Sequence, residues 1–138
     1  MKIKQLLSLG ITCLSLISIA HADETELGKI MDEVNDIFKT VKKDATLDNN
    51  GKAELVRKAA SLYIDSVKHL PTDIQYLYKT DADKEVAFAD YKAMIGTSYS
   101  HLCLLEVAYL KNDEAAIEQA WSAIKDSKKK GHKKYIDE

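Results

Sequence analysis

After Ala22 the chain runs for 116 residues with a single proline, Pro71, and few glycines, and its apolar residues recur every three or four positions. That spacing builds a stripe along one side of an α-helix and leaves no room for the period-two alternation of a strand. Leu27, Ile30, Met31, Val34, Phe38 and Val41 define a first helix over about 24–43. Asp48-Asn49-Asn50-Gly51 is turn chemistry, and Leu55, Ala59, Leu62, Ser66 and Leu70 then mark a second helix ending near His69. From Pro71 to about Ala82 the sequence reads as a connection, with Asp81 or Asp83 placed to cap the next helix. Phe88, Tyr91, Ile95, Leu102, Leu105 and Tyr109 carry the third helix to about Leu110, with Gly96 and Ser98 beside the stripe. Asn112-Asp113 supplies a further turn and cap. Ile117, Ala120, Trp121 and Ile124 begin the fourth helix, whose face continues through Lys128, His132 and Tyr135. Connections too short for a long crossover predict an all-α fold, an antiparallel up-down-up-down four-helix bundle.

The segment before Ala22 has a different character. Lys2 and Lys4 precede an apolar run from Leu6 to Ile19, and Ala20-His21-Ala22 follows as a small-x-small site. This order reads as a secretory signal peptide over residues 1–22, cut after Ala22, with residues 23–138 as one domain. The alternative, an uncleaved anchor, meets a run shorter than the roughly 20 residues a spanning helix needs. Cys13 lies within the run rather than at the cleavage point, which argues against a lipoprotein. Without its two leader lysines the chain holds 18 cationic against 22 anionic residues, a net charge of −4 that does not suit nucleic acid. Cys103 is then the only cysteine, so an internal disulfide is excluded. Periplasmic export with no disulfide leaves stability to packing or to a ligand.

In an up-down-up-down bundle the beginning of the first helix and the end of the fourth share one end. Met31 and His132 lie there, each on its apolar stripe. A thioether and an imidazole facing each other inside a bundle suit the two axial positions of a haem iron, neither carrying a charge that needs compensation. Each also has a plain role: Met fills apolar cores, and a His near a helix end satisfies free carbonyls and the helix dipole.

Local sequence adds to the pair. Met31-Asp32-Glu33-Val34-Asn35-Asp36-Ile37-Phe38-Lys39 resembles the first helix of the soluble periplasmic cytochrome b562 family, itself an example of the up-down-up-down topology, and His132-Lys133-Lys134-Tyr135 resembles the end of that family's fourth helix. Asp90-Tyr91-Lys92 with Ile95 resembles its haem-facing segment, although Ile95 stands where an aromatic residue is usual. The resemblance implies one non-covalently held haem b with Met31 and His132 as axial iron ligands. It further implies Tyr91 and Ile95 as wall contacts and Lys128 as a cation near the haem edge, able to pair with a propionate. The implied function is electron transport in the periplasm, by exchange of single electrons with other redox proteins and without enzyme chemistry.

Other chemistries are less well supported. No Cys-x-x-Cys-His occurs, which excludes covalent haem attachment, and the paired Glu-x-x-His motifs of di-iron bundles are absent. The basic run Lys128-Lys129-Lys130-Gly131-His132-Lys133-Lys134 is either a docking patch for an acidic partner or a cationic complement to the helix C-terminus. Cys103 is either a small buried hydrophobe or an exposed thiol able to join two chains. The tyrosines other than Tyr91 read as rim residues, and His69 and His101 as surface or seam residues. A haem-free binding or stress-response bundle is the alternative function, and a haem or gas sensor with one labile ligand is a third.

Overall fold

The computed structural model describes residues 25–135. The expected leader, residues 1–22, lies outside the described residues, as does Glu24 at the expected start of the first helix. Five helices and no strand make up the described part: α1 (Glu26–Lys43), α2 (Asn49–Ser66), α3 (Thr72–Leu77), α4 (Asp81–Leu110) and α5 (Glu114–Tyr135).

Helix starts are set by side chains that accept from otherwise unpaired backbone N–H groups. The Thr25 hydroxyl accepts from Gly28 N–H at 3.0 Å, and the Asp48 carboxylate from Gly51 N–H at 2.7 Å. Asp113 accepts from Ala116 N–H at 3.1 Å at the start of α5. At α4 the cap is Thr80, which accepts from Asp83 N–H at 3.1 Å and donates to the Asp83 carboxylate at 2.6 Å. The expected caps Asp81 and Asp83 are instead the first-turn anions of that helix, favourable beside its positive end. Between α4 and α5, Asn112 adopts φ 54°, the left-handed conformation that Asn tolerates in ending a helix.

The stretch after Pro71, expected to be only a connection, folds in part as α3. Its Ile74 is fully buried, and this one anchor docks the segment against α4. The buried face of α2 also differs from the expected stripe. Ala53, Val56, Ala59, Ala60, Tyr63 and Ser66 are buried, whereas Leu55 and Leu62 are half-buried. Small residues at those positions let α2 approach α1 and α4 closely.

The remaining packing follows the large side chains. Val34, Phe38 and Val41 of α1, Leu102 and Leu105 of α4, and Ile117 and Ile124 of α5 are all buried. Burying each Leu or Ile side chain contributes about 1.5–3 kcal/mol. Polar links join the elements: Lys58 pairs with Glu33, Arg57 with Glu106, and Asn49 donates to Asn112 at 2.8 Å. Phe38 meets Trp121 edge-on at 5.2 Å between ring centroids, with the Lys42 ammonium 4.2 Å from the Trp121 ring. Trp121 in turn donates its indole N–H to the Tyr109 hydroxyl at 3.0 Å.

Candidate functional site

A cavity of about 270 Å³ opens where α1 begins and α5 ends, and its wall brings together all five residues singled out in the sequence: Met31, Tyr91, Ile95, Lys128 and His132. Met31 comes from the second turn of α1 and His132 from the last turn of α5, 101 positions apart in the chain. Both are half-buried, so each side chain is shielded yet faces open volume.

The floor and walls are mostly apolar. Tyr91 and Ile95 lie one helical turn apart on α4 and are buried, and Val34 and Met94 add further apolar surface. The Tyr91 hydroxyl donates to the Ser66 carbonyl at 3.4 Å, which turns the ring's apolar body toward the cavity and keeps its polar tip satisfied. Burial pushes the Tyr91 phenol above its ordinary range, so it is uncharged at neutral pH.

At the rim, the Lys128 ammonium donates to the Asn35 side-chain carbonyl at 2.8 Å. Asn35 is one turn beyond Met31 on α1, and Lys128 one turn before His132 on α5, so this bond ties together the two helices that carry the candidate ligands. No side-chain hydrogen bond of His132 occurs among the described residues. The imidazole is therefore not committed to a protein partner there.

Sequence reasoning missed how Tyr135 builds this site. It was expected as a rim residue, but it is 4% exposed and stands edge-on to Tyr91 with centroids 6.0 Å apart. Its hydroxyl lies against the Ala87 carbonyl and the Asp90 carboxylate. Burial first, and then the Asp90 carboxylate, hold its phenol well above the ordinary tyrosine range. Asp90 moves the other way: donation from Lys134 first, and then from Tyr135, holds its carboxyl below the usual carboxylate range. Tyr63, which also lines the cavity, is buried as well. The available signal was position, since Tyr135 lies three residues beyond His132 and thus on the same side of α5.

The remaining candidates lie apart from the cavity. His101 shares a hydrogen bond of 3.2 Å with Ser127 at the α4–α5 seam, and Cys103 is half-buried on α4. No group of three or more His, Cys, Asp or Glu placed to hold a metal ion occurs among the described residues. No described helix is long and apolar enough to cross a membrane.

The donor chemistry of the cavity fits an iron porphyrin: two thioethers, Met31 and Met94, one imidazole, apolar walls and a cation at the rim. The enclosed space is at the low edge of the roughly 300–1,000 Å³ of small-molecule sites, so a macrocycle would have to extend through the opening. Compared with known proteins, the chain matches no family model, no curated protein and no solved structure.

Proposed function

We propose that this chain is an exported b-type cytochrome, an antiparallel up-down-up-down four-helix bundle with α3 as an insertion in its second connection, that passes single electrons through a non-covalent haem. The observation that carries this reading is the meeting of Met31 and His132, from opposite ends of the sequence, on the wall of one apolar cavity. The bundle topology is supported by the cross-links: Glu33 with Lys58, Arg57 with Glu106, Tyr109 with Trp121 and Ala87 with Tyr135 each fall where neighbouring helices run in opposite directions.

In this reading Met31 and His132 would hold the iron, while Tyr91 and Ile95 exclude water and Lys128 is available to a propionate. Haem would supply a one-electron valence change at iron. With Met31 and His132 both holding the iron, the site would leave no place for a substrate, and a neutral thioether would favour the ferrous form relative to two imidazoles. The exposed lysines around His132, including Lys129, Lys130 and Lys133, offer a cationic surface toward an acidic redox partner in the periplasm.

The test is a reduced-minus-oxidised visible spectrum of the processed protein purified from a haem-supplied periplasm, with pyridine haemochrome to count haem. About one low-spin b-type haem per chain is the expected result, and Met31→Ala or His132→Ala should each convert it to high spin. If both variants keep the parent spectrum, other ligands hold the iron.

A second reading is a haem-free periplasmic binding or stress-response module. The modest cavity volume and the Lys128–Asn35 bond across its rim favour it, because both suit a ligand smaller than a porphyrin. A colourless protein that refuses added haem would establish this reading over the first.

A further inference from the structure

Helix α4 concentrates its charges between Asp81 and Lys92, and from Ala93 to Leu110 Glu106 is its only charged residue; a helical stretch so largely apolar is normally covered all round. Here one side is bare: Val86 is 70% exposed, Leu104 59%, Leu110 48% and Val107 44%. From Ala93 to Leu110, no exposed position of α4 carries a charge. Gly96 lies in the middle of this strip, and a Cβ added to it would meet nothing within 4 Å. A glycine inside a helix lowers its stability, and the packing of this chain gives no reason for one at that position.

We infer that this face of α4 is the interface of a homodimer, in which two copies of α4 cross antiparallel about a two-fold axis between Gly96 and Ser100. The register comes from charge. Glu85 and Lys111 flank the strip, and neither has an ion-pair partner among the described residues. An axis midway between them sets Glu85 of each copy level with Lys111 of the other, within reach of two long side chains. The same register sets Val107 over Ala89 and Gly96 opposite Ser100. Gly96 and Ser100 leave room at the axis, so the backbones approach most closely there, while Val86 meets Leu110 towards either end of the strip and Leu104 lies level with Lys92. Lys92, at the edge of the strip, is drawn aside over the Phe88 ring at 4.7 Å.

The two-fold register also fixes what Cys103 does. It faces Ala93 of the other copy, and the two Cys103 residues are about 15 Å apart along the helices, beyond the roughly 7 Å limit for a disulfide. The dimer is therefore non-covalent. From Val86 to Leu110 the strip spans about 36 Å of helix and is roughly 10 Å wide. That is less than half the about 800 Å² per partner of a standard interface, so the association is weak and reversible. The cavity opens between α1 and α5, so this inference stands whether or not the proposed haem is bound.

Sedimentation velocity with light scattering, over a dilution series up to about 1 mM with and without reductant, tests it on the purified processed protein. The expected result is a concentration-dependent dimer, unchanged by reductant or by Cys103→Ser. Gly96→Lys should give a monomer whose melting temperature is not lowered, because the added side chain meets nothing within its own chain. Lys111→Glu should weaken the dimer about tenfold, and adding Glu85→Lys should restore it. A wild-type monomer at every concentration, a dimer lost on reduction, or a Gly96→Lys protein that still dimerises would each overturn the proposal.

Discussion

The two ends of the molecule are built from the same helices to different ends. Where α1 finishes and α4 turns into α5, the core is closed: Val41, Val56 and Leu105 are at most 1% exposed, and the Phe38–Trp121–Tyr109 chain of contacts covers them. Where α1 begins and α5 finishes, Leu27, Met31 and His132 are only half-buried around an open cavity. The Tyr91 and Tyr135 hydroxyls there do what close packing does at the other end, because each fixes a ring by a bond to a carbonyl or carboxylate. The difference teaches that the closed end carries the stability of the chain, which leaves the open end free to keep a gap that a ligand can fill.

The largest effect should therefore come from the closed end. Leu105→Ala removes a fully buried side chain from α4 and is expected to cost about 2–5 kcal/mol of unfolding free energy. Equilibrium urea denaturation, followed by far-ultraviolet circular dichroism, measures it. A loss below about 1 kcal/mol would mean that this end relaxes around cavities, and the contrast between the ends would fail.

Tyr135→Phe probes the open end through its hydrogen bonds rather than its volume. Removing the hydroxyl deprives the Ala87 carbonyl and Asp90 of a donor, with an expected cost of about 1–2 kcal/mol. The pH dependence adds a second readout. Tyr63, Tyr91, Tyr109 and Tyr135 all have phenols held above the ordinary value, in each case first by burial. A raised folded-state value contributes stability that is fully present below the unfolded value, about pH 10, and is lost as pH rises through the folded one. The urea midpoint should thus fall above about pH 10, and less steeply in Tyr135→Phe. A midpoint that stays flat to higher pH would show that the phenols ionise without opening the core.

How far these regions were legible in the sequence follows from residue size and polarity. Val34, Phe38 and Val41 on α1, and Leu102 and Leu105 on α4, are large, apolar and correctly spaced, so their burial was evident. The face of α2 was legible only at Ala59 and Ser66; Ala53 and Ala60 carry little hydrophobic signal, and the neighbouring Leu55 and Leu62 drew the stripe round the helix, away from Val56 and Tyr63. Pro71 masked α3, since one turn anchored only by Ile74 has no periodicity to read. The cavity residues were found by pairing the two ends of the chain and by local resemblance, neither of which reveals Tyr135. Its burial depends on Asp90 and the Ala87 carbonyl, 45 and 48 positions away, and such partners are invisible until the helices are packed.

The smallest effect is expected at Met31, and its dependence on ligand makes it the sharpest comparison of the two ends. In haem-free protein Met31→Ala takes a half-buried side chain from the wall of an existing cavity, so little contact is lost, and the cost should be about 1 kcal/mol or less. Haem binding to the folded state alone would raise stability by about 4 kcal/mol at a thousandfold excess over its dissociation constant. If Met31 ligates the iron as proposed, Met31→Ala weakens that binding, and most of the haem-dependent rise in melting temperature should disappear. Leu105→Ala, by contrast, should lower the haem-free and haem-bound curves by the same amount, because its cavity lies at the other end. Calorimetry of both variants with and without haem separates the two: a Met31→Ala penalty as large without haem as with it would make this residue structural, and would move the ligand-holding role away from α1.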